Sequence, residues 1–294
     1  MTKIRKAVIT AAGWGTRFLP TTKAQPKEML PLVDRPIIQY AVEEALDAGI
    51  EQIILVTAQN KQAIEDYFDR SPALEHFLEQ RGQLGLLERV RHICDHADIC
   101  YIRQKESLGL GHAVLTARRL VGDEPFALFL PDDVFISSPP VMQQMMEVYH
   151  QVQGNILAIE QVSDEDTQRY GVILPQKLSE RIYRVLDLVE KPLPGEAPSK
   201  LAIMGRYILT PEVFDALEQT SPGKNGEIQL TDGLKQLLKE QSIYAYEYQG
   251  IRYDTGVPLG WLKATFSLAL EHPEFGPALR EHLKGLDKGA QYLP

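Results

Sequence analysis

Ala7-Val8-Ile9-Thr10-Ala11-Ala12-Gly13-Trp14-Gly15-Thr16-Arg17 is the stretch whose reading decides the fold. Its first four residues read as a short buried strand, which then breaks into small residues and glycine. Glycine takes up positive φ at no steric cost and lets a ligand approach the backbone. Successive N–H groups in such a turn cradle phosphate oxygens. Arg17 adds a planar, permanently charged fork suited to phosphate. Lys27, in Gln25-Pro26-Lys27-Glu28-Met29-Leu30-Pro31, brings a point charge within reach of the same phosphates. A bare Gly-x-Gly after a strand is also often only a tight turn. The density of Arg17, Lys23 and Lys27 around prolines favours phosphate binding. There is no G-x-x-x-x-G-K-[ST], so a P-loop is not expected. The third glycine of G-x-G-x-x-G is missing too, so a dinucleotide site is weakly supported.

Working outward, Ile37 to Ala48 carries Ile38, Ala41, Val42, Ala45 and Leu46 on one helical face, with Gly49 as its C-cap. Ile53–Val56 is a strand too continuously apolar to face water on one side. Lys61–Phe68 is the next helix. Strand–helix–strand units of this kind build a mainly parallel sheet covered by helices. Leu74–Arg91 reads as a charged, mostly helical insertion or lid. Ile99–Ile102 and Phe126–Leu130 are further strands, the second apolar enough to be central. Helices are expected at Gly111–Leu120 and Pro140–His150. After residue 150 the rhythm changes. Ile156–Val162, Gly171–Leu174, Ile182–Val189 and Leu201–Leu209 are strand candidates with few helices between them. Helices at Pro211–Glu218 and Ile228–Leu238, a strand at Ile243–Tyr248, a polar loop at Tyr253–Gly256 and a helical stretch Pro258–Leu283 complete the reading. With no repeat or linker, one α/β domain spanning 1–294 with an embedded strand-rich lobe is preferred over two separate domains.

The bulk composition limits the function. The 294 residues are 44% hydrophobic and 24% charged, as in an ordinary globular protein. A net charge of -9 argues against a broad nucleic-acid surface but leaves room for a local nucleotide site. The opening Met1–Lys6 has no signal-peptide shape, and no stretch has the length of a membrane span, so a cytoplasmic protein is expected. Cys94 and Cys100 are too few for a disulfide scaffold or a four-cysteine zinc site, and read as reduced structural thiols.

Asp132-Asp133 follows the apolar strand that ends at Leu130. Carboxylates there are placed for Mg²⁺, which takes one or two of them plus substrate phosphates. Asp254, in Tyr253-Asp254-Thr255-Gly256, is a second candidate from the far end of the chain. Solvated turn aspartates are the alternative for each. Glu190-Lys191, before Pro192, has the chemistry to hold sugar hydroxyls and a sugar-linked phosphate. Gly171 and Gly205 are candidate close-approach positions in the same lobe. His112 at a helix start reads as capping or packing, because a phosphate nucleophile is already ionised and needs no general base.

Taken in order along the chain, several blocks resemble the bacterial UTP–glucose-1-phosphate uridylyltransferases of the sugar nucleotidyltransferase family. They are Ala11–Pro20, Pro26–Pro31, Gln104–Gly111, Leu130–Val134, Tyr170–Ile173, Val189–Pro192, Asn225–Asp232 and Tyr253–Gly256. The Lys-Glu-Met-Leu-Pro and Pro-Asp-Asp forms look more like the uridylyl branch than the thymidylyl or cytidylyl branches. The resemblance implies a Rossmann-like nucleotidyltransferase fold with a mixed, mainly parallel central sheet. It implies a nucleotide-binding part over about 1–150, a sugar-phosphate part over about 151–257 and C-terminal helices over about 258–294. The implied reaction joins UTP to glucose 1-phosphate with Mg²⁺, giving UDP-glucose and pyrophosphate.

By the same resemblance, Ala11, Ala12 and Gly13 meet the uridine, and Gly15, Thr16 and Arg17 hold its phosphates. Gln104 and Gly109 read the base. Lys27 acts with Arg17 and Asp132 in catalysis, and Asp132 and Asp254 bind Mg²⁺. Gly171, Glu190 and Lys191 serve the sugar phosphate, with Gly205 beside them. A homodimer or homotetramer is implied, with no nucleic-acid or membrane partner. Trp14 departs from the pattern, which usually has a smaller aliphatic residue there. The rival readings are a nucleotidyltransferase for dTTP or another sugar 1-phosphate, and a catalytically silent regulator that binds UDP-glucose.

Overall fold

The computed structural model describes residues 3–96, 98–223 and 226–286. The chain opens with β1 (Lys6–Thr10), whose Ala7, Val8 and Ile9 have no exposed surface. The glycine loop follows and winds through three short 3-10 turns, the last at Lys27–Met29. A small hairpin, β2 (Pro31–Leu32) and β3 (Arg35–Pro36), leads into α1 (Ile37–Asp47). This helix ends at Gly49, which sits at φ 82° as a left-handed stop. Then come β4 (Gln52–Thr57), α2 (Gln62–Phe68), α3 (Pro72–Gln80), α4 (Leu84–His96) and β5 (Ile99–Arg103). The charged segment is therefore two helices, split at Gly82 (φ 67°).

The next elements are α5 (Leu110–Thr116), α6 (Arg118–Val121), β6 (Phe126–Phe129), β7 (Asp133–Ile136) and α7 (Val141–Val152). The strand-rich part contains β8 (Asn155–Gln161), β9 (Gly171–Lys177), β10 (Ile182–Glu190) and β11 (Leu201–Leu209). The chain continues through α8 (Glu212–Glu218), α9 (Leu230–Leu237), β12 (Ile243–Glu247), β13 (Ile251–Asp254), α10 (Pro258–Glu271) and α11 (Gly276–Leu286).

Nine strands form one mixed sheet in the order β5-β4-β1-β6-β11-β8-β12-β10-β9. The β5, β4, β1 and β6 strands are mutually parallel, as their continuous apolar runs require. The antiparallel β11 lies between β6 and β8 and joins the parallel half to the strand-rich half. There β9 pairs with β10 and also touches β11, Ala202 opposite Val172, so the strand-rich half curls back on itself. Both faces are covered: α1 and α7 pack on one side, and α5, α8 and α9 on the other. The result is a Rossmann-like α/β architecture with an embedded strand-rich lobe. Among the described residues no helix is long and apolar enough to cross a membrane.

Four local expectations change. The polar loop at Tyr253–Gly256 begins in a strand, because β13 pairs antiparallel with β7 and sets Asp254 opposite Asp133. The helix expected over Gly111–Leu120 is two short helices meeting at Ala117. The helix expected from Ile228 starts at Leu230. Ile228 instead accepts from Gly111 N–H and donates to Leu108 O, both at 2.8 Å. Asn225, which opened that motif, lies outside the described residues, as does 287–294. Helix Pro258–Leu283 breaks at His272, which takes extended backbone before Pro273, as the proline ring demands.

Candidate functional site

At the carboxyl ends of β1 and β6, where ligands sit in open α/β sheets, the glycine loop meets the strand-rich lobe across a cavity of about 940 Å³. Gly15 sits at φ 66°, and a Cβ there would come within 3.2 Å of Lys27 Cβ and Thr22 Cγ2. The turn is tied by Thr22 Oγ1, which donates to Gly15 O at 2.8 Å. Ala12, Gly13, Gly15, Thr16 and Arg17 all line the cavity. Ala11 does not: it is fully buried in the sheet, and its N–H donates to Val56 O at 2.8 Å. Trp14 lies at the cavity rim and is 75% exposed.

Lys27 Nζ reaches Asp132 Oδ2 at 2.6 Å. Asp132 sits in the turn after β6, and two N–H contacts anchor that turn: Leu130 to Gly205 O and Asp133 to Leu130 O. Beneath it Arg206, fully buried, donates to Leu130 O and to Glu44 Oε2. Burial alone would lower the Lys27 pKa, yet the Asp132 and Glu28 carboxylates leave it above its ordinary value. Burial likewise opposes ionisation of Asp132, but Lys27, with help from Arg17, holds its carboxyl below the usual range. This pair therefore stays charged.

Asp254 arrives from the far end of the chain on β13, and the next residue anchors it. Both Thr255 N–H and Thr255 Oγ1 donate to Asp132 O at 2.8 Å. The carboxylates of Asp132 and Asp254 then both approach Gly256. A Cβ on that glycine would lie 2.8 Å from Asp132 Oδ2 and 3.2 Å from Asp254 Oδ1. Asp133 has a different task. Its carboxylate accepts from Arg252 Nε at 2.7 Å and from Gly205 N–H at 2.8 Å, which locks β7 to β11 and β13. Among the described residues no group of three or more His, Cys, Asp or Glu is arranged to hold a metal. Two converging carboxylates fit a hard cation that takes its remaining ligands from phosphates and water.

The opposite wall is the strand-rich lobe. Glu190 accepts from Thr231 Oγ1 at 2.7 Å and lies 3.1 Å from Lys191 Nζ. A Cβ on Gly171 would sit 2.9 Å from Thr231 Oγ1 and 3.2 Å from Glu190 Oε2, so glycine keeps this corner open. Gly205 lines the cavity, but a Cβ there would strike Asp133 Oδ2 at 2.7 Å. Gly205 thus serves the packing beneath Asp132. At the near end, Gln104 is buried and its Nε2 donates to Gly109 O at 3.2 Å. The same nitrogen lies 2.9 Å from His112 Nδ1, so His112 packs as expected and supports Gln104. Gly109 takes φ 95° and abuts Ile228 O.

Sequence reasoning missed three contributors. Arg169 Nη2 holds Asp254 Oδ2 at 2.6 Å, Thr231 holds Glu190, and Glu28 forms a buried ion pair with Lys61 at 2.7 Å. Arg169 stands one residue before the Tyr170-Gly171 block and Thr231 lies inside the Asn225–Asp232 block, so both were adjacent to recognised signals. Lys61 carried no such signal.

A family model described as nucleotidyl transferase matches residues 6–269. A UTP–glucose-1-phosphate uridylyltransferase of Staphylococcus epidermidis is 52% identical over 287 residues, covering 98% of this chain and all of the relative. A crystal structure of UDP-glucose pyrophosphorylase complexed with UDP-glucose is 47% identical, with TM-score 0.85, and covers 92% of this chain and 100% of that one. A UTP-bound enzyme of the same kind from Acinetobacter baumannii is 40% identical, with TM-score 0.90, covering 97% of this chain and 100% of that one.

Proposed function

The chain belongs to the nucleotidyl transferase family, among the UTP–glucose-1-phosphate uridylyltransferases, and from that membership we propose that it converts UTP and glucose 1-phosphate to UDP-glucose and pyrophosphate. One observation carries the reading beyond resemblance: Asp132, Asp254 and Lys27 converge between a glycine loop and a Glu190–Lys191 corner within one cavity. Such a site holds two substrates, with the reacting phosphates between them.

In this reading Gly13, Gly15, Thr16 and Arg17 hold the UTP phosphates. Gln104 and Gly109 face the base, and Ala12 lies against the nucleoside. Ala11 acts from below by fixing the end of β1. Glu190 takes sugar hydroxyls, and Lys191 takes the phosphate of the sugar. A phosphate oxygen of glucose 1-phosphate attacks the α-phosphorus of UTP in line, the bond to the bridging oxygen breaks, and pyrophosphate leaves. Lys27 is already charged and held by Asp132, so it stabilises the charge that builds on oxygen without reorganising, and Arg17 adds its permanent charge. Asp132 and Asp254 would hold Mg²⁺, which offsets phosphate charge when bound. No side chain forms a covalent intermediate.

The nucleotide part spans about 1–150 and the sugar part about 151–257 of a single domain. We place the protein in the cytoplasm as a homodimer or homotetramer. The exposed Leu259, Leu262 and Phe266 of α10 offer an apolar face for a second copy. The deciding assay offers UTP or dTTP, Mg²⁺ and a panel of sugar 1-phosphates, and follows pyrophosphate and nucleotide sugar. Release of pyrophosphate with glucose 1-phosphate and UTP supports the reading. Tight UDP-glucose binding without any release would show a silent regulator instead.

A further inference from the structure

The two oxygens of Asp254 have separate surroundings. Oδ1 accepts Gly256 N–H at 3.1 Å and lies, with Asp132 Oδ2, beside the position a Cβ on that glycine would take. Oδ2 accepts instead from Arg169 Nη2 at 2.6 Å, with the Tyr170 hydroxyl at 3.4 Å. Arg169 is itself restrained. Its Nη1 donates to Asp166 Oδ1 at 3.1 Å, and its guanidinium lies over the Tyr170 ring, 5.4 Å from the centroid. Asp166 is in turn held by the Ser163 hydroxyl, which donates to its Oδ2 at 2.8 Å. The Tyr170 hydroxyl also receives Arg252 Nη2 at 3.2 Å.

This arrangement addresses a specific difficulty. Two like-charged carboxylates brought together repel, and a short side chain at a strand end relieves that repulsion by turning outward. Arg169 opposes the rotation, because it binds the one oxygen that a cation between the aspartates does not need. Carboxylates that ligate metals are characteristically fixed in this way by a hydrogen-bond partner on the outer side.

We propose that Arg169 is a positioning residue for the divalent-cation site: it holds Asp254 by Oδ2 so that Oδ1 stays turned toward Asp132. The inference rests on the reading that Asp132 and Asp254 share the cation. Arg169 is about half exposed and lies outside the hydrophobic core, so its replacement leaves the fold intact.

The test measures cation affinity rather than turnover. Mn²⁺ is titrated into protein with saturating UTP, and free Mn²⁺ is followed by electron paramagnetic resonance. Subtracting a protein-free Mn²⁺–UTP titration isolates the contribution of the site. For Arg169→Gln the affinity should fall by about 10-fold or more, the range seen when such outer partners are removed. Arg169→Lys, which keeps the charge but loses the fork, should fall less. Unchanged affinity in Arg169→Gln would overturn the proposal. Tighter binding would overturn it too, since it would mean that Arg169 merely competes for the carboxylate. If the wild type shows no cation binding beyond that of UTP alone, the two-aspartate reading itself fails, and the proposal with it. Thermal unfolding of each variant separates a loss of fold from a loss of affinity.

Discussion

Lys27 Nζ lies 2.6 Å from Asp132 Oδ2, so the lysine assigned to the reacting phosphates and a candidate metal ligand are held in contact. In the proposed mechanism Lys27→Met removes a preorganised charge from the reacting phosphates. Such a loss costs about 10²–10³ in turnover, or roughly 2.7–4 kcal/mol. The expected result is a fall of that size in kcat for pyrophosphate release with an unchanged circular dichroism spectrum. Near-normal kcat would remove Lys27 from the mechanism.

The same pair contributes to the acid behaviour of the fold. The folded Asp132 carboxyl titrates below its unfolded value of about 3.9. Its stabilising contribution is therefore complete above about pH 4 and is lost as pH falls through the lowered folded value. Lys27, raised above about 10.4, keeps its contribution until the pH climbs past that point. Urea midpoints of wild type and Asp132→Asn should differ at pH 6 and converge as the pH falls below about 4. A constant gap would contradict the assignment.

Arg206 tests the support beneath the site. It has no exposed surface, pairs with Glu44 at 2.7 Å, and lies under the rings of Phe129 and Phe135. Arg206→Met leaves Glu44 buried without its partner charge. Breaking a buried pair in this way costs about 3–5 kcal/mol. Chemical denaturation should show a loss of that order. Glu44→Gln/Arg206→Met, which removes both charges, should recover part of it.

Gly171→Ala separates the two halves of the cavity. The added methyl comes within 2.9 Å of Thr231 Oγ1 and 3.2 Å of Glu190 Oε2. The KM for glucose 1-phosphate should rise at least several-fold while UTP binding stays near wild type. An equal effect on UTP would mean that Glu190 does not belong to the sugar half.

Trp14 gives an optical readout. It stands exposed on the loop assigned to the UTP phosphates, so its fluorescence should change on adding UTP and Mg²⁺. Trp14→Leu should abolish that signal and change kcat/KM less than threefold. A large loss of activity would give the indole a catalytic task that the other residues do not explain.

The parallel half of the sheet was legible because its inner strands β4, β1 and β6 are buried on both faces and read as unbroken apolar runs. Asp132 was legible because it ends the most apolar of them. β7 and β13 were not. Each is four residues long with polar residues at its inner end, and only their pairing with each other makes them strands. The separate fates of Asp132 and Asp133 were hidden for a related reason. Adjacent residues point to opposite faces, and nothing local reveals that Arg252, far along the chain, claims the second. Ala11 was grouped with Ala12 and Gly13, but it still follows the strand and turns inward.

The pairing of β7 with β13 also orders events during synthesis. Domains fold as units, so β1, β4, β5 and β6 emerge before the residues that complete their sheet. The glycine loop and Asp132 then exist without their counter-carboxylate. Only when Ile251–Asp254 is delivered against Asp133–Ile136 does the second aspartate join the first. A nascent chain can therefore carry the glycine loop and Asp132 well before the second carboxylate assigned to the transfer site is in place.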